Sequence, residues 1–336
     1  MKQKAIFMGT EEAIANAYNN ETKALLAQSL EILPDYYTED VLRDGRPHPE
    51  LADVAYAFST WGVAALTEEE IAFLLPSLRA VFYAAGTVQY FARPFMKRGV
   101  KIFSAWGANG VPVAEVTVAE IILANKGLFQ TMHKGGGRDW PEHDRAKPHP
   151  GNYNTNVGVI GAGMIGKMVI ERLRQYQLNI LVFDPFLSAE RASALGAEKV
   201  DDLPELFARC HVISNHLANN PQTVHMIDKR CFDRMEDNAV FINTGRGRQV
   251  VEADLIAALQ EKPGRAAVLD VSWPEPPVPG SPLYAMDNVI LTPHAAGSIG
   301  NEIQRMGEYM AAEYAALAAG RPTKYEVTEE MLKTMA

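Results

Sequence analysis

Short apolar runs alternate with stretches of helical periodicity along almost the whole chain. In the first third, apolar runs at 5–8, 31–33, 54–58, 79–84 and 100–103 predict strands. Between them, 21–30, a segment opening at Thr67 and 90–98 predict helices. Thr67 and Glu70 form a capping box ahead of Ile71, Leu74 and Leu75. An apolar-periodic helix follows over 113–132, with Glu115 and Glu120 at its start. The pattern then breaks over 133–156, where three consecutive glycines and several prolines predict a long loop or arm. Alternation resumes with strands near 157–160, 180–183, 211–214, 239–242, 266–270 and 288–291. Helices are predicted near 164–175, 188–195, 202–208, 228–233 and 252–260, with a last one over 298–319. Strands alternating with helices predict α/β architecture with parallel sheets and crossover connections.

The most informative stretch runs from Val157 to Asp184. An apolar strand leads into Gly161, Gly163 and Gly166 in G-x-G-x-x-G spacing, then a helix, a second apolar strand and an acid. Gly161 suits the tight turn, Gly163 lets backbone approach a pyrophosphate, and Gly166 lets the helix pack close to the strand. The free N–H groups at the helix start favour an anion. Asp184, 23 residues after Gly161, stands where an acid accepts hydrogen bonds from a ribose and repels a 2′-phosphate. The pattern therefore predicts a bound dinucleotide, NAD in preference to NADP.

Composition narrows the classes. A net charge of −9 without a basic stripe argues against nucleic acid and anionic membrane surfaces as partners. The N-terminus reads as a first strand, not a signal peptide, and no apolar run approaches a membrane span. Cys210 and Cys231 lack metal or disulfide spacing and read as buried thiols, which suits a cytoplasmic protein. His133, His143 and His149 fit no zinc pattern and read as surface residues, so no metal is expected.

Three later motifs carry candidate chemistry. Asn243-Thr244-Gly245-Arg246-Gly247 follows an apolar strand, so Arg246 lies at a strand's carboxyl end, where open α/β sheets bind ligands. A guanidinium there can grip a carboxylate through two parallel hydrogen bonds. Leu269-Asp270-Val271-Ser272-Trp273-Pro274-Glu275 ends the next strand in acid and carries Glu275 in a proline-stiffened loop. Thr292-Pro293-His294-Ala295-Ala296-Gly297 ends the last strand. Reduction of a 2-oxo acid needs a cation for the carboxylate, an acid for the carbonyl oxygen and a partner that keeps that acid charged. Arg246, His294 and Glu275 fill these roles in turn.

In these motifs the chain resembles the D-isomer-specific 2-hydroxyacid dehydrogenases, over roughly residues 54 to 310. The family's N-x-x-R-G, strand-end Asp with a Glu five residues on, and T/S-P-H-x-x-G segments match Asn243–Gly247, Asp270 with Glu275, and Thr292–Gly297. The resemblance implies two Rossmann-like doubly wound domains with an interdomain cleft: a flavodoxin-like substrate domain, 1–111 with 301–336, and an NAD-binding Rossmann domain, 112–300. It implies cofactor contacts at Met164 and Ile165 beside the pyrophosphate, at Asp184, at His216, and at Thr244 and Asp270 near the nicotinamide. Gly245 and Gly297 join this set, and Ala85 and Gly86 supply backbone to the substrate carboxylate along with Arg246 and His294. It also implies a homodimer formed through the cofactor domain. Where the family has an acid or amide two positions after Gly86 and an Asp five after, this chain has Val88 and Phe91. Trp61, Trp106 and Trp273 lie in or near loops facing the expected crevice. Other readings of the same fold are an NAD-sensing, corepressor-like binding protein and a formate- or phosphite-type dehydrogenase.

Overall fold

Runs of residues that are apolar on both faces make strands that must be covered on both sides, and this chain contains two such sets. The computed structural model describes residues 2–132 and 148–333. The strands are β1 Gln3–Met8, β2 Leu30–Tyr36, β3 Val54–Ser59, β4 Ala80–Tyr83, β5 Lys101–Ser104 and β6 Tyr153–Ile160. They continue as β7 Gln177–Phe183, β8 Glu198–Lys199, β9 Val212–Asn215, β10 Val240–Asn243, β11 Ala266–Leu269, β12 Val289–Leu291 and β13 Glu326–Val327. The chain divides into two compact units, Met1–Gly110 with Ser298–Ala336, and Val111–Gly297.

The first unit holds a sheet ordered β13-β5-β4-β3-β1-β2. Strands β1 to β5 run parallel, and β13 adds an antiparallel edge. Leaving that edge aside, the order is that of flavodoxin-like sheets. One face is a ladder of aromatic rings: Phe58 stacks on Phe82 at 5.0 Å, and Phe82 on Phe103 at 4.8 Å. The final helix, Glu302–Ala318, lays Tyr314 edge-on across Phe58 and Phe82, each at 5.8 Å. It comes close because Gly307 has no side chain; a Cβ there would stand 2.0 Å from the carbonyl oxygen of Ala17. Val88 and Phe91, two departures from the family pattern, are fully buried in the opposite face's core. Packing takes the place of polarity at those positions.

The second unit holds an all-parallel sheet ordered β12-β11-β10-β9-β6-β7-β8. Strand order reverses between β6 and β9, as in the doubly wound dinucleotide folds. Two short strands lie outside the sequence expectation, β8 and β13, each two residues long and each at a sheet edge. So does the helix Glu11–Ala17, capped by Thr10.

The expected helix over 113–132 differs at both ends. It begins at Trp106 and ends at Asn125, and a short helix, Leu128–Thr131, follows. Pro112 lies inside it, and a proline that deep removes a helix hydrogen bond, so the pattern reads as starting later. It stops before Gly127, whose φ of +67° is left-handed and whose missing Cβ leaves room for the ring of His149. His149 is therefore not a free surface histidine: it packs edge-on against His211 at 5.6 Å between ring centroids. His133 and His143, with most of the expected arm, lie outside the described residues. Trp106–Asn125 has the length and apolar content of a membrane span, contrary to expectation. Its Ala114, Val118, Ile121 and Ala124 are packed in the second unit's core, as a core helix requires. Cys210 and Cys231 are buried free thiols, pushed up to about 12 and about 11 by burial.

Substituting Gly307→Ala forces Cβ against backbone and should cost about 2 kcal/mol or more. Chemical denaturation of the purified variant reads this directly; an unchanged midpoint would show that the helix can shift without loss.

Candidate active site

The glycine turn builds one end of the site. Gly161 has φ +87°, and a Cβ on it would lie 2.8 Å from the carbonyl oxygen of His216, so the loop after β6 closes against the loop after β9. A Cβ on Gly166 would lie 1.9 Å from the Gly161 carbonyl oxygen, so glycine is needed there too. Gly163 faces open space and caps the helix Met164–Leu173 without a side-chain hydrogen bond. The first-turn N–H groups thus lack a side-chain partner, and Met164 and Ile165 stand half-buried beside them. Asp184 ends β7 next to this turn. One of its oxygens accepts from the N–H of Ala162 at 2.7 Å and the other from Phe186 at 2.8 Å. His216 is buried and its ring is driven down to about 4 by desolvation; Nε2 meets the Ser214 hydroxyl, while Nδ1 has no partner among the described residues. Open space beside Gly163, helix N–H groups without a side-chain cap and a ring nitrogen without a partner among the described residues fit a dinucleotide phosphate and its flanking sugar.

The other end is built by the loops after β10, β11 and β12. Gly247 has Ser272 backbone where its Cβ would be, 2.0 Å away, so the Arg246 loop and the Glu275 loop pack backbone to backbone. Arg246 is half-buried and donates from Nη1 to Gly245 O at 2.8 Å. Burial works against its charge, and the Glu275 carboxylate offsets part of that. Among the described residues no carboxylate pairs with it, so guanidinium N–H groups are left over for an anion.

His294 donates from Nδ1 to Glu275 Oε1 at 2.5 Å. A carboxylate accepts only, so the proton sits on Nδ1 and Nε2 is left for a ligand. His294 itself has φ +55°, a strained backbone for a non-glycine residue. The loop is held there by Asp270, which is nearly fully buried. The Asp270 carboxylate accepts from Thr292 Oγ1 at 2.6 Å, Ala295 N at 2.7 Å and Ala296 N at 3.0 Å, and its carbonyl accepts from His294 N at 3.0 Å. Asp270 thus positions the histidine loop, a task the motif reading did not assign to it. Gly297 follows half-buried at the loop's end.

Thr244, also expected at the cofactor, meets the Thr117 hydroxyl at 3.0 Å. That contact sets Trp106–Asn125 beside the ends of β10 and β11. Ala85 and Gly86 follow β4 in the first unit, their carbonyls taken by the Ser104 hydroxyl, whereas every other expected site residue belongs to the second unit. Among the described residues no three His, Cys, Asp or Glu side chains gather as a metal site. Trp61 and Trp273 are exposed, while the Trp106 indole packs edge-on to Tyr325 at 5.1 Å. The Arg248 guanidinium lies 4.8 Å from the Trp273 ring and links the same two loops.

Residues 118–296 match the NAD binding domain of the D-isomer specific 2-hydroxyacid dehydrogenases. The chain belongs to that family. Within it, the chain is 35% identical over 217 residues to a D-3-phosphoglycerate dehydrogenase of Methanocaldococcus jannaschii, covering 65% of this chain and 41% of the relative. The chain therefore spans about two fifths of the length of that larger relative. A glyoxylate reductase of Thermofilum pendens is 28% identical over 269 residues, 79% of each protein. Among solved folds, the apo D-mandelate dehydrogenase of Rhodotorula graminis superposes with a TM-score of 0.80 at 22% identity, covering 98% of each chain. The matched NAD binding domain takes in the glycine turn and Asp184.

Glu120 is a residue whose role the helix pattern hid. Its carboxyl is pushed up to about 8, first by burial and then by the charge of Asp270, and Oε2 has no hydrogen-bond partner among the described residues. The folded state holds this proton more tightly than the unfolded chain. Its contribution to stability is full below the ordinary carboxylate value and is lost as pH rises through about 8. Glu120→Gln should match the parent near about pH 4 and exceed it by about 1–3 kcal/mol near about pH 9. Denaturant titrations at both pH values test this, and an equal gap at the two would refute it.

Proposed function

We propose that this protein is an NAD(H)-dependent oxidoreductase that interconverts a small D-2-hydroxy acid and its 2-oxo acid. The observation that carries this reading is the 2.5 Å hydrogen bond from His294 to Glu275, whose loop packs on that of Arg246, a guanidinium with no carboxylate hydrogen bond among the described residues. In this reading Arg246 holds the substrate carboxylate through its remaining N–H groups. Nε2 of His294 gives a proton to the carbonyl oxygen during reduction and takes it back during oxidation. Glu275 stabilises the charged ring. Ala85 and Gly86 contribute backbone to the carboxylate. The nicotinamide, when bound, supplies or accepts the hydride. Gly161, Gly163, Met164, Ile165, Gly166, Asp184, His216, Thr244, Gly245, Asp270 and Gly297 hold the cofactor, Asp270 by fixing the loop around it. The protein works as a cytoplasmic homodimer joined through the cofactor domain.

NADH oxidation against glyoxylate, pyruvate, hydroxypyruvate and phenylpyruvate tests the reading. His294→Asn should lower kcat by about 10²–10⁴-fold, and Arg246→Ala should raise KM for the oxo acid and lower kcat/KM. NADH binding with no turnover on any of the four would overturn the oxo-acid assignment. Turnover indifferent to both substitutions would overturn the residue roles. Asp184→Asn keeps an oxygen for Ala162 N–H but removes the charge, and should narrow the preference for NADH over NADPH by about 10–100-fold. An unchanged ratio of kcat/KM for the two cofactors would remove Asp184 from that role.

A further inference from the structure

Behind Arg246 lies a buried cluster of three amides: Asn215 at the end of β9, Asn243 at the end of β10, and Gln249 just beyond the Arg246 turn. All three are at most 1% exposed. A buried amide needs partners for its donors and its acceptor, and here they are found. Asn215 Nδ2 donates to Gln249 Oε1 at 2.6 Å and to Asn243 Oδ1 at 3.0 Å. Asn215 Oδ1 accepts from Leu217 N at 3.2 Å. Gln249 Nε2 donates to Leu217 O at 2.9 Å and Ala218 O at 3.0 Å. Asn243 Oδ1 accepts from Gly245 N at 3.1 Å, and its Nδ2 donates to Arg246 O at 3.3 Å. Gln249 Oε1 accepts from the backbone N–H of Arg246 at 3.3 Å.

The bonds run in one direction of dependence. Asn243 holds the Gly245 N–H and the Arg246 carbonyl from within its own loop, and is tied to the end of β9 through Asn215 alone. Gln249 reaches outside: its oxygen holds the Arg246 backbone, and its nitrogen holds the two carbonyls that follow His216. Gly245 has no room to move away, since a Cβ there would lie 3.0–3.1 Å from both Asn215 and Gln249. The guanidinium is thus aimed by a backbone whose position is set from the neighbouring loop, on the strand where sheet order reverses.

We propose that Gln249 is the positioning residue for Arg246, tying the carboxylate-gripping loop to the cofactor-side loop 216–218 so that the guanidinium presents its free N–H groups in one orientation. This rests on Arg246 being the carboxylate-binding residue. Gln249 touches neither substrate nor cofactor in this account. Its loss weakens recognition of the carboxylate and leaves the acid/base pair alone, because Asp270 holds the His294 loop independently.

The test compares oxamate with oxamide, which differ only in the carboxylate, as ligands of the full chain saturated with NADH, read by NADH fluorescence. The parent should favour oxamate strongly. Arg246→Ala should abolish the preference. Gln249→Met, similar in shape but without the amide, should shrink it by about tenfold through weaker oxamate binding, with oxamide affinity unchanged. A general loosening of the fold would weaken both ligands alike and leave the ratio intact. If Arg246→Ala abolishes the preference and Gln249→Met does not change it, the role of Gln249 is overturned while that of Arg246 stands. If Arg246→Ala leaves the preference in place, the carboxylate assignment fails and the inference falls with it. Should Gln249→Met not fold, Asn215→Ser removes the donor that fixes Gln249 Oε1 and should also reduce the ratio; a full parental ratio in that variant would overturn the proposal.

Discussion

A single carboxylate, Asp270, holds the end of the second unit that carries Arg246, Glu275 and His294. It ends a buried strand and faces a loop that must bend sharply to present an imidazole. Its two oxygens take three donors from that loop, and its own carbonyl takes a fourth, the N–H of His294. Charge-assisted hydrogen bonds of this kind are about twice as strong as neutral ones, and burial strengthens them further. The same strand continues into the segment that carries Glu275. One strand end therefore places both halves of the His294–Glu275 pair. The pair's geometry follows from the sheet and not from the length of two flexible side chains.

Glycines do the complementary work, by absence. At Gly247 the backbone of Ser272 occupies the volume a side chain would need, and at Gly161 the carbonyl of His216 does. Each contact brings two loops to backbone distance. The result is a row of strand ends, β6, β9, β10, β11 and β12, whose loops touch their neighbours in series. The amide cluster of Asn215, Asn243 and Gln249 is the polar link in that row.

Much of this is legible in the sequence, because strand-end motifs combine local pattern with chemistry. The glycine spacing, the acid after the second strand, and the Arg, Glu and His segments announce themselves without reference to partners. What escapes is what depends on distant neighbours. Gln249 and Asn215 look like surface polar residues, and only the fold shows them paired across two loops. Glu120 looks like an exposed residue on a helix whose other faces are apolar, yet its oxygen is buried near Asp270. The edge strands β8 and β13 are too short to leave a periodic signal, and Pro112 conceals where its helix begins. Asp270 was legible as a residue at the site but not as the anchor of the histidine loop, since its partners lie more than twenty residues along the chain.

The left-handed backbone of His294 sets a tension between stability and chemistry. Among L-residues, asparagine, aspartate and histidine adopt that conformation more often than the rest, and glycine alone does so without strain. The imidazole therefore stands at a position where glycine would sit more comfortably. A copy of this loop built with glycine there would fold with less strain and would lose the imidazole that faces Glu275.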